Sequence, residues 1–260
     1  MNYQDLLDEA ATLYDRGEFH SAVSKLEDIV LQNPTFYPAY NLLGCFYFSH
    51  GLLDEAETYF QKIINIEPNL PEAHNNLGYI CLRKEKFDDA ESHFKKALEL
   101  NPHEMEALNN LSLLYKLQRK YDLALEGFKK IIAIHATSAE AHNNLGCAYR
   151  ELGMLHEAID EFNTVLQLNP NDVEALNNVG CSEKAIGNLP AAVRHLSKAI
   201  MLNESDPTLH FNLALTYIDC QDPKQALKHF EKCLKLAHDD SKKEEIGKWV
   251  EQLQKEIGQT

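Results

Sequence analysis

The chain has 260 residues, 44% apolar and 25% charged, with only 11 glycines and 9 prolines; this balance excludes a disordered chain, and the want of any apolar run near ~18 residues excludes a membrane-spanning helix. Its 25 Lys and Arg face 40 Asp and Glu, for a formal net charge of -15, which repels a phosphate backbone and excludes nucleic acid as a natural partner. The N-terminal stretch carries Asp5, Asp8 and Glu9 where a secretory signal needs positive charge, so the expected location is cytoplasmic.

Aligned with itself, the chain repeats every 34 residues without insertion or deletion, in windows 3–36, 37–70, 71–104, 105–138, 139–172, 173–206 and 207–240. In the first window Ala10 and Ala22 take positions eight and twenty, Leu26 takes position twenty-four, Gly17 marks a turn and Pro34 closes the unit. The second has Gly44, Ala56 and Phe60 at the same phases, with Leu43 at seven, Tyr47 at eleven, then Gly51 and Pro68. The third has Leu77, Gly78, Ala90, Phe94 and Pro102, and the fourth Leu111, Ser112, Tyr115, Ala124 and Phe128, with Ala136 in place of the closing proline. The fifth returns Leu145, Gly146, Tyr149, Gly153, Ala158, Phe162 and Pro170. The sixth has Val179, Gly180, Gly187, Ala192 and Leu196, but Glu183 replaces the aromatic and Glu204 the proline. The seventh has Leu213, Ala214, Tyr217, Ala226 and Phe230.

Residues kept small at two fixed phases imply two helices crossing closely there, and the large group at position twenty-four fills the space beside them. At about 100° per residue, positions four, seven, eight and eleven share one side of a helix, which is therefore the core side. Glycine at fifteen turns the chain and proline ends the unit, so each window is a helix hairpin. Beyond the seventh, Ile246, Trp249, Val250, Leu253 and Ile257 recur at helical spacing over 243–257. A helix with that pattern, in a segment 241–260, is expected to cap the apolar end of the array 1–240.

This pattern resembles the tetratricopeptide repeat family, whose signature is a large residue at four, Leu-Gly at seven and eight, an aromatic at eleven, Ala at twenty, Phe at twenty-four and Pro at thirty-two. The resemblance implies an all-α fold: a right-handed superhelix, or α-solenoid, of seven helix-turn-helix repeats plus a C-terminal capping helix.

In such arrays positions two, five, six, nine, twelve and thirteen of the first helix line the concave groove. Position six gives Asn76, Asn110, Asn144, Asn178 and Asn212 in successive repeats, and position five gives Asn41, Asn75, Asn109, Asn143 and Asn177. An amide offers donors and an acceptor suited to a peptide main chain. The position-six ladder is similar to the one lining the superhelix of O-linked N-acetylglucosamine transferase, which implies backbone capture of a bound protein segment. The same amides would serve equally as hydrogen bonds between repeats. Position nine adds Tyr79, Leu113, Cys147, Cys181 and Leu215; Glu72, Glu106, Glu140 and Glu174 form one edge at position two, while Arg83, Lys116, Arg150 and Lys184 form the other. Helix-dipole preference accounts for the glutamates without a ligand. A carboxylate clamp is not matched, because position five is Asn or apolar and position two is Glu.

His74, His142 and His210 all fall at position four, and His93, His195 and His229 at position twenty-three, so repeat phase explains them as packing residues. The six cysteines form no CxxC pair, and no HExxH, GxSxG, GxxxxGK[ST] or GxGxxG run is present. No cofactor, metal or catalysis is expected. The reading is a protein-binding scaffold holding an extended segment of a protein or peptide partner, without nucleic acid or membrane insertion. Its alternatives are a homo-oligomer assembled through terminal or convex faces, and a substrate-recruiting module of a glycosyltransferase-type complex. Replacing Asn110, Asn144 and Asn178 together by Ala is expected to weaken binding and leave the melting temperature nearly unchanged.

Overall fold

The computed structural model describes residues 2–258, apart from the side chains of Asp240 and Ser241, so residues 259 and 260 of the predicted cap lie outside the described residues. Among those residues every regular element is an α-helix: α1 (Tyr3–Asp15), α2 (Phe19–Gln32), α3 (Tyr37–Ser49), α4 (Leu53–Ile66), α5 (Pro71–Arg83), α6 (Phe87–Leu100), α7 (Met105–Leu117), α8 (Tyr121–Ile134), α9 (Ala139–Glu151), α10 (Leu155–Leu168), α11 (Val173–Ala185), α12 (Leu189–Leu202), α13 (Pro207–Asp219), α14 (Pro223–Leu236) and α15 (Asp240–Gly258). Each odd helix up to α13 opens on the first residue of a 34-residue window and its even partner completes the hairpin. Two compact units, Met1–Gly127 and Phe128–Thr260, divide the chain.

The hairpin turn is the same in all seven windows. Position fifteen takes a left-handed backbone in Gly17, Gly51, Gly153 and Gly187, and also in Glu85, Arg119 and Gln221, whose φ values are 57–59°. The next residue's N–H reaches back to the carbonyl of position eleven, as in Glu18 to Leu13 at 2.9 Å and Lys120 to Tyr115 at 2.8 Å. This closure satisfies carbonyls left open at the end of the first helix. Sequence marks the four glycines; the three other turns fold alike at a conformational cost.

Position eight explains the close crossing. A Cβ added to Gly44 would lie 2.7 Å from the Phe60 ring, one on Gly78 2.8 Å from Phe94, one on Gly146 2.6 Å from Phe162 and one on Gly180 2.6 Å from Leu196. Those four partners are buried, so no room remains for a methyl group. In the fourth window Ser112 occupies position eight, and the compensation comes from position twenty-three. That residue is Gly127, where a Cβ would stand 1.9 Å from the Ser112 hydroxyl oxygen.

The position-four histidines have a purpose beyond packing. The Nε2 atoms of His74, His142 and His210 approach the carbonyl oxygens of Pro68, Ala136 and Glu204 at 3.0, 3.1 and 3.1 Å. Each acceptor is position thirty-two of the preceding window, the place of the closing proline. A main-chain carbonyl is supplied there by any residue type, which is why Ala136 and Glu204 leave the repeat intact.

In the C-terminal unit α15 packs on α14, burying Ile246, Val250 and Leu253 and stacking Trp249 on Phe230 at 5.7 Å with 7° between the rings. Ile246, Trp249, Val250 and Leu253 reproduce the spacing of positions four, seven, eight and eleven, two residues later than the 34-residue period would place them. The cap is thus a first helix displaced by two residues.

Candidate functional site

The asparagines on the first helices are tied to one another from repeat to repeat. Nδ2 of Asn76 donates to Oδ1 of Asn41 at 3.2 Å, Asn110 to Asn75 at 2.9 Å, Asn178 to Asn143 at 3.0 Å and Asn212 to Asn177 at 2.8 Å. In every case position six reaches position five of the preceding repeat. Position five then donates onward to position two of the repeat that reached it: Asn75 to Glu106 at 3.2 Å and Asn143 to Glu174 at 2.8 Å.

The carboxylates set the direction of these chains. An ionised carboxylate only accepts, so Asn75 must turn its NH2 toward Glu106 and its oxygen toward Asn110. Asn110 consequently spends an N–H on Asn75 and turns its own oxygen away. The same logic runs from Glu174 through Asn143 to Asn178, whose oxygen accepts from Nη1 of Arg150 at 3.0 Å. Glu106 and Glu174 therefore do more than complement a helix dipole: they polarise the amide row.

The remaining predicted residues are placed as follows. Asn144 is buried, Asn143 and Asn109 are half-buried, and Asn109, Asn144 and Lys116 each engage a neighbour. Tyr79 meets Phe48 edge to face at 5.4 Å, and the Arg83 guanidinium lies over that Phe48 ring at 5.6 Å. Lys184 pairs with Asp219 at 3.4 Å. Of the predicted acidic and basic edges, Glu106, Glu174, Arg83, Arg150 and Lys184 are thus engaged with amides, an aromatic ring and a carboxylate of the chain itself.

Each unit carries an open groove on these helices. The N-terminal one, of about 460 Å³, is lined by Cys45, Phe48, Asn76, Tyr79, Glu106 and Asn110 among others. The C-terminal one, of about 380 Å³, is lined by Cys181, Lys184, Ala185, Asn212, Leu215 and Asp219. Cys45 and Cys181 share position nine yet feel opposite fields. Burial raises the pKa of both thiols; Glu106 raises that of Cys45 further, whereas Arg150 and Lys184 pull that of Cys181 back down. Sequence reading passed over Phe48 as a lining residue, although it shares position twelve with Lys116, Arg150 and Lys184. All six cysteines are free thiols. Among the described residues no group of three or more His, Cys, Asp or Glu is arranged to hold a metal, and no helix is long and apolar enough to cross a membrane.

Repeated helix hairpins with these packing phases define a tetratricopeptide repeat protein, and the chain belongs to that family. Residues 40–161 match the model of the Cilia and flagella-associated protein 70 middle TPR-like domain, and residues 207–240 match that of the Tetratricopeptide repeat. A tetratricopeptide repeat protein from Parabacteroides merdae is similar in structure, with a TM-score of 0.69 and 20% identity over 97% of this chain and 98% of that one. YrrB, described as a TPR protein with an unusual peptide-binding site, gives a TM-score of 0.61 and 22% identity over 71% of this chain and 94% of its own. The APC/C hetero-tetramer Cut9-Hcn1 gives 0.68 and 20% identity; 94% of this chain is covered, but it spans only 48% of the chain it matches there. At these identities the likeness is one of fold. No curated protein sequence matches the chain.

Proposed function

We propose that this chain is a non-catalytic interaction scaffold that binds an extended segment of a protein partner along its first-helix faces, in a cytoplasmic setting. The observation carrying this reading is the orientation of the position-six amides. Asn76, Asn110 and Asn212 each spend an N–H on the preceding repeat, and their carbonyl oxygens are not used in those bonds. All three line open grooves. Such oxygens accept main-chain N–H groups and read backbone in preference to sequence. With packed helices ~10 Å apart and an extended peptide advancing ~3.3 Å per residue, consecutive rungs meet every third residue. The similarity to the amide ladder of O-linked N-acetylglucosamine transferase supports the same reading, as does the peptide-binding site described for the structurally similar YrrB.

The test is selection of random displayed peptides of about a dozen residues on the full chain, followed by affinity measurement against Asn76→Ala/Asn110→Ala and Asn178→Ala/Asn212→Ala variants. Measured well below the lowest melting transition, all variants remain folded, so a loss of binding reports the face itself. Selected peptides that bind both variants as tightly as the parent chain would end this reading.

Self-assembly is the second reading. Met201 and Leu202 adjoin in sequence and are 85% and 43% exposed, and adjoining apolar side chains left uncovered favour contact with another surface. Light scattering across a concentration series separates the two.

A further inference from the structure

The amide rows of the two units are built alike but end differently. In the C-terminal unit the run is Arg150, Asn178, Asn143, Glu174, from a side chain that can only donate to one that can only accept. In the N-terminal unit it is Asn110, Asn75, Glu106. The place Arg150 fills, position twelve of the preceding repeat, is there occupied by Leu82. The accepting end is kept and the donating end is missing. Because Glu106 fixes Asn75 and Asn75 fixes Asn110, it is the Asn110 oxygen that is presented at the vacated end.

That end lines a groove whose remaining chemistry suits a cation. Glu106 contributes a carboxylate, Asn76 and Asn110 amide oxygens, and Phe48 and Tyr79 two aromatic rings. No Lys or Arg is among the lining residues; the nearby Arg83 lies over Phe48 from outside the lining set. Glu106 also adds to burial in raising the Cys45 thiol, so the groove floor is electronegative. Aromatic faces and an acceptor cluster together attract a planar, multiply donating guanidinium more than an ammonium. The net charge of -15 adds long-range attraction for a basic partner.

We propose that the N-terminal groove takes an arginine side chain of the bound partner, its guanidinium set against the Asn110 oxygen as that of Arg150 is set against Asn178, in the field of the Glu106 carboxylate that lines the same groove. This rests on the peptide-binding reading and names the side chain that the N-terminal unit selects. The C-terminal unit has no such preference: Arg150 already donates to Asn178, and the groove beside Asn212 is lined by the chain's own cation, Lys184, paired with Asp219.

The test uses the same displayed peptides on the full chain. Arginine is enriched among binders, and replacing that arginine by citrulline, which keeps the shape and removes the charge, weakens binding at least about tenfold. Leu82→Arg supplies the missing donor from within and abolishes the discrimination between arginine and citrulline peptides; Glu106→Gln reduces it, providing a second variant should Leu82→Arg disturb folding. Equal affinity for the two peptides, enrichment of acidic or apolar residues, or unchanged discrimination in both variants overturns the proposal. If peptides are selected that depend on the asparagines but carry no basic residue, the arginine assignment falls and the scaffold reading stands. If no peptide depends on the asparagines, both fall.

Discussion

A Cβ placed on Gly146 would lie 2.6 Å from the ring of Phe162, sixteen residues along the chain. The ring is fully buried and cannot swing away. Gly146→Ala therefore forces α9 and α10 apart and is expected to cost about 1–3 kcal/mol by overpacking, outweighing the better helix propensity of alanine. Urea denaturation measures it; an unchanged midpoint would contradict the close crossing.

Three turns hold a non-glycine residue at positive φ, at Glu85, Arg119 and Gln221. A left-handed backbone costs an L-residue about 1–2 kcal/mol, and a glycine adds about 0.5–1 kcal/mol of unfolded-state entropy. The first term is larger. Each of Glu85→Gly, Arg119→Gly and Gln221→Gly is expected to raise stability by about 0.5–1 kcal/mol, and the triple variant to raise the melting temperature visibly in calorimetry.

Asn178 both donates to Asn143 and accepts from Arg150. Its replacement by Ala leaves both partners unsatisfied in a place where Asn178 itself is buried, an expected loss of about 1–3 kcal/mol. The sequence-based expectation of an unchanged melting temperature on replacing the ladder is revised accordingly. Thermal melting of the single variant checks it.

His229 faces His210 with 3.1 Å between their Nδ1 atoms, and its pKa is pushed down to about 4 by burial first and then by His210 and Lys228. Burial also lowers His210 and, in other repeats, His93 and His195. A depressed histidine is neutral in the fold and protonates near its ordinary 6.5 once unfolded. Between pH 6.5 and about 4 the unfolded chain thus binds more protons, and the stability present above that window is lost as pH falls through it. Melting temperatures measured from pH 7 to 4 should decline, and His229→Gln should shallow the slope.

Trp249, the only tryptophan, stacks on Phe230 beneath the cap. Its fluorescence reports the contact between the cap and the last repeat. Repeat arrays are stabilised by neighbour contacts, so end units open most readily. The fluorescence transition in denaturant is expected at or below the midpoint seen by circular dichroism; a higher midpoint would place the weak point elsewhere.

The small residues at positions eight and twenty, the large apolar residue at twenty-four and the constant period were enough to read seven helix hairpins, since each is a local packing requirement repeated in register. The candidate face was legible as residue type: Asn76, Asn110, Asn178 and Asn212 stand where the period puts them. Their hydrogen bonds were not legible, because Asn110 meets Asn75 across thirty-five residues at an angle set by how neighbouring hairpins stack. Nor was the exchange between Ser112 and Gly127, where two departures from the pattern cancel.

Periodicity by itself determined the helices, their pairing and the side of each that is buried, for these follow from 3.6 residues per turn and the volume of side chains. Only the tertiary structure decided which way each amide points. An asparagine is nearly symmetric in shape but opposite in polarity at its two ends, and a distant carboxylate such as Glu106 or Glu174, brought alongside by stacking, is what breaks the tie.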